Sequence, residues 1–99
     1  MTAPKPSVDR ALHAIADPTR RRILQALKLR NACSIGKETG LCAGDIEMRI
    51  HLTQPTISHH MAILTRAGLV EASKHGHWRW YRRNEKALRQ VVKALLQDL

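Results

Sequence analysis

The sequence predicts a mainly α-helical domain of about five helices with one two-stranded β-hairpin, and three observations lead to this class. Two helical segments meet at a tight turn near residue 51. A run at 77–83 alternates with period two after a glycine-containing turn, which is typical of a hairpin. Apolar residues at steps of three and four fill the C-terminal segment. Helix, turn, helix and hairpin in this order constitute a winged helix-turn-helix.

The N-terminal residues are predicted to form a tail and a first short helix. Residues 1–7 contain two prolines and are expected to be loose, which leaves residues 8–99 as a single domain. Leu12 and Ile15 lie on one face of a helix predicted over 8–16.

A second helix is predicted to begin at Asp17, where an acidic N-cap precedes Pro18 in the first turn. Its buried face is expected to consist of Ile23, Leu24 and Leu27. The three arginines at 20–22 are expected to form a solvated or phosphate-near flank rather than an element that reads bases.

A long loop is predicted over residues 30–41, which show no periodicity and contain two glycines. It exceeds the usual helix–helix connection. Cys33 lies inside it and Cys42 directly follows it. A short helix is predicted from Cys42 to Ile50, and residues 51–52 form the turn into the central helix.

The central helix has clear start and stop signals. Thr53 is the predicted N-cap, Pro55 sits in the first turn, and Gly68 ends the helix. Its apolar stripe consists of Ile57, Met61 and Leu64. The opposite face carries amides, hydroxyls and an imidazole without any carboxylate, which suits a DNA major groove. These candidate DNA-binding residues are Gln54, Thr56, Ser58 and His59.

The predicted wing consists of strands at 69–74 and 77–83 around a turn at 75–76. All three aromatic residues lie here and are expected to pack the hairpin onto the helices. Between residues 74 and 89 there is one acid, Glu85, and six basic residues: Lys74, Arg79, Arg82, Arg83, Lys86 and Arg89. With a formal net charge of +9, this stripe indicates a nucleic-acid partner, and its candidate contacts are Lys74, His77 and Arg79.

Several classes of protein are disfavoured by the same composition. The longest apolar run is four residues, so no membrane span is expected, and residues 1–7 do not look like a signal peptide. A cytoplasmic protein with reduced thiols is therefore expected. No nucleophile–base arrangement, phosphate-binding loop or paired carboxylates stand out, so no enzymatic activity is predicted.

The last helix, predicted over 85–99, carries an apolar stripe that could complete the core or form half of a dimer interface. The second interpretation is favoured because a single recognition helix supplies little specificity. The candidate interface residues are Leu12, Ile15, Leu88, Val91, Val92, Leu95 and Leu99.

The segments ADPTRRRILQAL, LTQPTISHHMAILTRAGLV and KHGHWRWYRRN resemble the arsenical-resistance repressor (ArsR) family over about residues 8–99. The resemblance implies a homodimeric winged-helix repressor that binds double-stranded DNA at an inverted repeat and is released by an inducer, usually a metal or metalloid ion. It places the four polar residues of the central helix toward the groove, His60 in a supporting position, and His77 and Arg79 on the wing.

This sequence departs from the family at the positions that sense ions. Cys42 matches the first cysteine of the arsenic-sensing pair, but Gly44 holds the second place. The last helix lacks the histidines of the zinc-sensing members. Three alternatives stay open for Cys33 and Cys42: they bind a thiophilic ion such as As(III), they form a reversible disulfide, or they are inert. A constitutive or redox-controlled repressor and, more remotely, a winged helix for protein contacts are the alternative functions.

Overall fold

The helices and strands follow one another in the predicted order in the computed structural model, which describes residues 8–28 and 41–99. Over these residues the elements are α1 (Val8–Ala16), α2 (Pro18–Ala26), β1 (Leu41–Cys42), α3 (Ala43–Ile50), α4 (Gln54–Arg66), β2 (Val70–His75), β3 (Trp78–Arg83) and α5 (Glu85–Asp98). The predicted class is confirmed, with one additional strand. The predicted tail, Cys33 and most of the predicted loop lie outside the described residues.

The corner between α1 and α2 forms as predicted, with Asp17 as N-cap and Pro18 in the first turn. The Asp17 carboxylate accepts a 3.0 Å hydrogen bond from the backbone N–H of Arg20. The prediction of a solvated arginine flank is wrong for Arg20, whose side chain folds back over α1 and is only 8% exposed. Exposed Arg21 also turns back and donates to the carbonyls of Ile15 and Ala16. Helix ends leave such carbonyls unpaired, and guanidinium groups satisfy them here.

The core is formed by the apolar faces of all the described helices. The predicted aliphatic residues of α2, α3 and α4 are buried: Ile23, Leu24, Leu27, Ile46, Ile50, Ile57, Met61 and Leu64. Helix α1 contributes the small residues Ala11 and Ala14, which allow a close approach. Leu12 is 41% exposed and Ile15 packs only at the margin of the core.

The turn between α3 and α4 is tight because His51 takes a left-handed conformation, with φ of 61°. Thr53 occupies the N-cap position, but the expected hydrogen bond from a first-turn backbone N–H to its hydroxyl is absent. The hydroxyls of Thr53 and Thr56 lie 3.0 Å apart and bond to each other instead. Gly68 ends α4 as predicted with φ of 77°, and the N–H of Leu69 reaches back to the carbonyl of Leu64 at 3.1 Å.

The sheet contains a short third strand among the described residues, in the order β1-β3-β2. Leu41 was expected in a loop and Cys42 in a helix, whereas both pair antiparallel with β3, opposite Tyr81 and Trp80. A strand of two residues has no alternation to detect, and its partner is far away in the sequence. The strand therefore ties the start of α3 to the wing.

The hairpin forms one residue later than predicted, because Gly76 and His77 make the turn and β3 begins at Trp78. The predicted packing is confirmed for Tyr81, which lies in the main core, and for Trp80, which packs beside Cys42. Successive residues of a strand point to opposite faces, so both sides of the sheet are covered at this level.

Helix α5 begins at Asn84, whose side-chain oxygen accepts from the N–H of Ala87 at 3.1 Å. Its predicted single stripe divides into two neighbouring faces. Ala87 and Val91 are buried, with Leu88 and Leu95 packed at the edge of the core. Val92 and Leu99 point outward, together with Leu96. Within the described residues, no helix is long and apolar enough to cross a membrane.

Candidate nucleic-acid interface

The polar face of α4 is exposed over its first two turns, at all four predicted DNA-binding residues. An α-helix turns 100° per residue, so these residues fall on two sides. Gln54 and Ser58 are four residues apart and share one side. Thr56 and His59 are three apart and share the other. The helix therefore offers a broad polar surface without a carboxylate on its own exposed face.

A cleft of about 430 Å³ lies between this helix and the wing. Gln54 and Ser58 line it from α4, while His77 and Arg79 line it from the hairpin. The structure thus brings four of the predicted DNA-binding residues together. Sequence reasoning missed Glu47 of α3, which also lines the cleft and brings one carboxylate to its wall. Its place in a short amphipathic helix gave no signal of this position.

Because of the hairpin register, the cations of the wing lie on the side of the hairpin that faces the cleft. Lys74 lies directly opposite Arg79, two residues beyond the pair of Ala72 and the buried Tyr81. Alternation puts all four side chains on one face of the ribbon. Both cations are exposed, and like charges directly opposite each other repel. An anion placed between them would relieve that repulsion.

Two further members of the predicted basic stripe, Arg82 and Arg83, contact other groups of the protein. Arg82 pairs across the strands with Glu71, with its Nε and NH2 groups 3.0 and 2.9 Å from the same carboxylate oxygen. Arg83 contacts Glu85 at 2.8 Å and donates to the carbonyl of Leu24 at 3.3 Å. Arg82 and Arg83 therefore make ion pairs within the chain, whereas Lys74, Arg79, Lys86 and Arg89 are exposed.

His60, which the resemblance places in a supporting position, is half-buried on α4. The Nδ1 atom of His60 lies 3.3 Å from a guanidinium nitrogen of Arg20. Arginine has only donors, so Nδ1 is the acceptor and carries no proton. Burial is the main cause that lowers the pKa of His60, and the neighbouring Asp17 partly opposes this shift.

The candidate sensor residue Cys42 is 2% exposed and caps the start of α3. Its thiol donates to a carboxylate oxygen of Asp45 at 2.9 Å, and the indole of Trp80 packs beside it. Cys33 lies outside the described residues. In the part of the chain that the structure describes, no three His, Cys, Asp or Glu side chains are grouped so that they could hold a metal ion.

Comparison with known proteins gives the family. A helix-turn-helix domain model matches residues 15–72. The transcriptional repressor SdpR of Bacillus subtilis is 35% identical over 84% of this chain and 82% of its own length. The arsenical resistance operon repressor of Staphylococcus aureus is 34% identical over 85% of this chain and 72% of its own length. The chain belongs to the ArsR family of helix-turn-helix transcriptional regulators.

A solved winged helix-turn-helix structure agrees with the architecture described above. The homodimeric winged helix-turn-helix domain from Mycobacterium bovis superposes with a TM-score of 0.70, at 24% identity, over 92% of this chain and 77% of that one. The sequence relatives thus confirm the resemblance at the level of family, and this structural neighbour confirms the fold. In this family frame, α4 is the recognition helix and β2–β3 is the wing.

Proposed function

We propose that this ArsR-family protein is a homodimeric transcriptional repressor that binds an inverted-repeat operator in double-stranded DNA. The observation that carries the proposal is the shared cleft, where Gln54 and Ser58 of the recognition helix face His77 and Arg79 of the wing. The recognition helix can then enter the major groove while the wing contacts the adjacent phosphate backbone of the DNA.

Base reading is assigned to the recognition helix and phosphate anchoring to the wing tip. An amide such as that of Gln54 can donate to and accept from one adenine edge, which is a base-specific pattern. Thr56, Ser58 and His59 supply shorter groups for base edges or phosphates. Lys74 and Arg79 face each other across the hairpin, and a phosphate would offset their mutual repulsion.

Dimerisation is assigned to the outer face of α5 together with α1. Val92 is 57% exposed and Leu96 is 76% exposed, and Leu12 of α1 also remains accessible. Leu88, Val92 and Leu96 line one open apolar groove. Large aliphatic side chains gain most when a second apolar surface covers them. The M. bovis neighbour is described as homodimeric, which favours the same use of the fold here.

Release from DNA by a thiophilic ion such as As(III) is the finer part of the proposal. The S. aureus relative is named an arsenical resistance repressor, and Cys42 stands at the start of α3. An ion would have to displace the thiol proton from its bond to Asp45 and draw further ligands from outside the described residues. Control by cysteine oxidation, or the absence of any inducer, remains the alternative.

The DNA-binding part is tested by fluorescence anisotropy with a duplex from the protein's own promoter and a scrambled duplex. The expected result is preferential binding to the promoter, with an affinity that falls steeply as salt rises because phosphate-bound counterions are released. Half-sites about one helical turn apart, or ~34 Å, should be protected in a footprint. Equal binding to both duplexes, or an affinity insensitive to salt, would contradict the proposal.

The sensor part is tested with the reduced protein on that same promoter. As(III), Sb(III), Zn(II), Cd(II) and peroxide are added in parallel to wild type and to the Cys33→Ser and Cys42→Ser variants. Release of wild type by a thiophilic ion, lost in both variants at unchanged DNA affinity, supports ion sensing. Release by peroxide alone supports redox control, and no release by any of the five supports the inert alternative.

A further inference from the structure

The guanidinium group of Arg20 joins three helices at one point. From α2 it donates to the carbonyl of Ala14 at 2.7 Å and to that of His13 at 3.1 Å, both near the end of α1. Its third nitrogen lies 3.3 Å from Nδ1 of His60 on the recognition helix. Because the side chain is only 8% exposed, this contact is largely shielded from water. Because the guanidinium group is planar and rigid, its hydrogen bonds link the position of the recognition helix to that of the α1–α2 corner.

The contact requires a neutral His60. All guanidinium hydrogens are donors, and an imidazole accepts only through an unprotonated nitrogen. Protonation would replace the acceptor by an N–H group that points at Arg20. A hydrogen bond would then become a contact between two cations, which repel more strongly in a partly buried site.

The charged neighbours of His60 act in both directions. Arg20 from α2 and His59 from α4 disfavour its protonated form, whereas Asp17 at the start of α2 favours it. Helix α1 contributes the carbonyls of His13 and Ala14, which hold Arg20 in place. The loss of water around the ring has the largest effect, and the pKa of His60 is lowered from its ordinary value.

We propose that the Arg20–His60 contact is a proton-operated positioning device for the recognition helix. With His60 neutral, α4 is tied to the α1–α2 corner and presents its polar face to DNA. Protonation of His60 breaks this contact, and operator affinity falls. His60 is thus a positioning residue that acts through the orientation of its helix. This inference rests on the proposed function, since α4 is the helix assigned to the groove.

The direction of the pH dependence follows from linkage. A histidine whose pKa is lowered in the native arrangement favours that arrangement above the ordinary pKa of about 6.5. The advantage is lost as the pH falls from there through the lowered pKa of His60. A comparison with a variant that cannot protonate at position 60 isolates the contribution of His60.

The first test measures operator affinity from pH 5 to pH 8 at constant ionic strength for wild type, His60→Gln and the matched control His13→Gln. Glutamine can still accept from Arg20 but does not titrate. The affinity of wild type relative to His60→Gln should fall on acidification, by at most about tenfold per pH unit for one linked proton. The operator affinity of His13→Gln should show the same pH dependence as that of wild type, because the backbone carbonyl of residue 13 that Arg20 contacts is retained. A constant ratio between wild type and His60→Gln would overturn the proposal.

The second test uses the free protein, so that it is independent of DNA binding. The ring resonances of His60 are titrated by NMR in wild type, in Arg20→Gln and in Asp17→Ser, which keeps an N-capping hydroxyl. The midpoint should lie below about 6.5 in wild type, rise in Arg20→Gln and fall further in Asp17→Ser. A midpoint unmoved by Arg20→Gln would overturn the proposal. Failure of wild type to bind any promoter duplex, with these shifts intact, would instead contradict the proposed function.

Discussion

Single residues decide how α1 ends in this protein. Arg20 satisfies the carbonyls of His13 and Ala14, and Arg21 satisfies those of Ile15 and Ala16. A helix leaves four carbonyls without partners at its C-terminal end, and two neighbouring arginines supply the donors for these four. The arginine run at the start of α2 is therefore a capping device for the preceding helix as well as a source of charge.

Replacing Arg20 by methionine should destabilise the fold, because the carbonyl groups and the imidazole of His60 lose their hydrogen-bond donor in a half-buried site. The expected loss is about 1–3 kcal/mol in the free energy of unfolding. Arg22→Met is the matched control, since Arg22 is exposed, and it should stay within about 0.5 kcal/mol of wild type. Urea denaturation followed by circular dichroism measures both. Equal losses in the two variants would contradict the capping role.

Local signals made some of these residues predictable and left others hidden. Asp17, Pro18 and Gly68 act within one turn of their own helix, so the sequence alone identified them. The burial of Arg20 depends on α1 and on His60, which lies forty residues away. Asn84 also caps a helix locally, and although no cap was predicted there, an asparagine directly before an amphipathic run is a signal for one.

At the scale of elements, the proposed function assigns base contacts to the recognition helix and phosphate contacts to the wing. Gln54→Ala should relax sequence preference and cost about 1–3 kcal/mol if its amide makes a bidentate base contact. Arg79→Ala should weaken binding to all duplexes alike and reduce the salt slope by about one. Anisotropy with promoter and scrambled duplexes at several salt concentrations measures both. Unchanged affinity and preference in Gln54→Ala would mean that α4 does not read bases.

The wing should show opposite effects on stability and on binding. Lys74→Glu turns a repulsive pair with Arg79 into an attractive one, so the free energy of unfolding should rise by about 0.2–1 kcal/mol. The same change removes the proposed phosphate contact of Lys74, so promoter affinity should fall with a smaller salt slope. Lys28→Glu makes the same change in net charge away from the hairpin and should affect both properties less. A Lys74→Glu variant that binds promoter DNA as wild type does would remove the wing tip from the interface.

Not every element could be predicted from the sequence. Helices with caps and apolar stripes and the hairpin with its glycine turn were predictable, because their contacts are local. Strand β1 was not, since Leu41 and Cys42 are defined by pairing with β3. The ion pair between Arg82 and Glu71 was not predicted for a similar reason. The register that sets Glu71 against Arg82 appears only once the hairpin is formed.

For the molecule as a whole, α5 is shared between the core and the proposed dimer interface. The predicted interface included Val91, which is buried within the chain, and Leu95, which packs at the edge of the core. Substitutions there would disturb folding and assembly together. Val92 is the cleaner probe, because its side chain points outward from the same helix.

Val92→Glu should therefore give a folded monomer that binds the operator poorly, since a carboxylate would be buried at the joint between two copies. Gln90→Glu introduces the same charge at an exposed position of α5 and should leave assembly unchanged. Sedimentation velocity measures the oligomeric state, and circular dichroism checks the fold. A Val92→Glu protein that stays dimeric would move the interface to another surface.

The pairing of β1 with β3 affects how fast different parts of the sheet open to solvent. The hairpin closes across a two-residue turn, whereas Cys42 meets Trp80 across roughly forty residues of intervening sequence. Two residues hold this distant contact, so its opening costs little compared with unfolding of the whole domain. The amide hydrogens of β1 should exchange with solvent ahead of those between β2 and β3. The buried thiol would then react at the frequency of this local opening, while the helices and the wing remain folded.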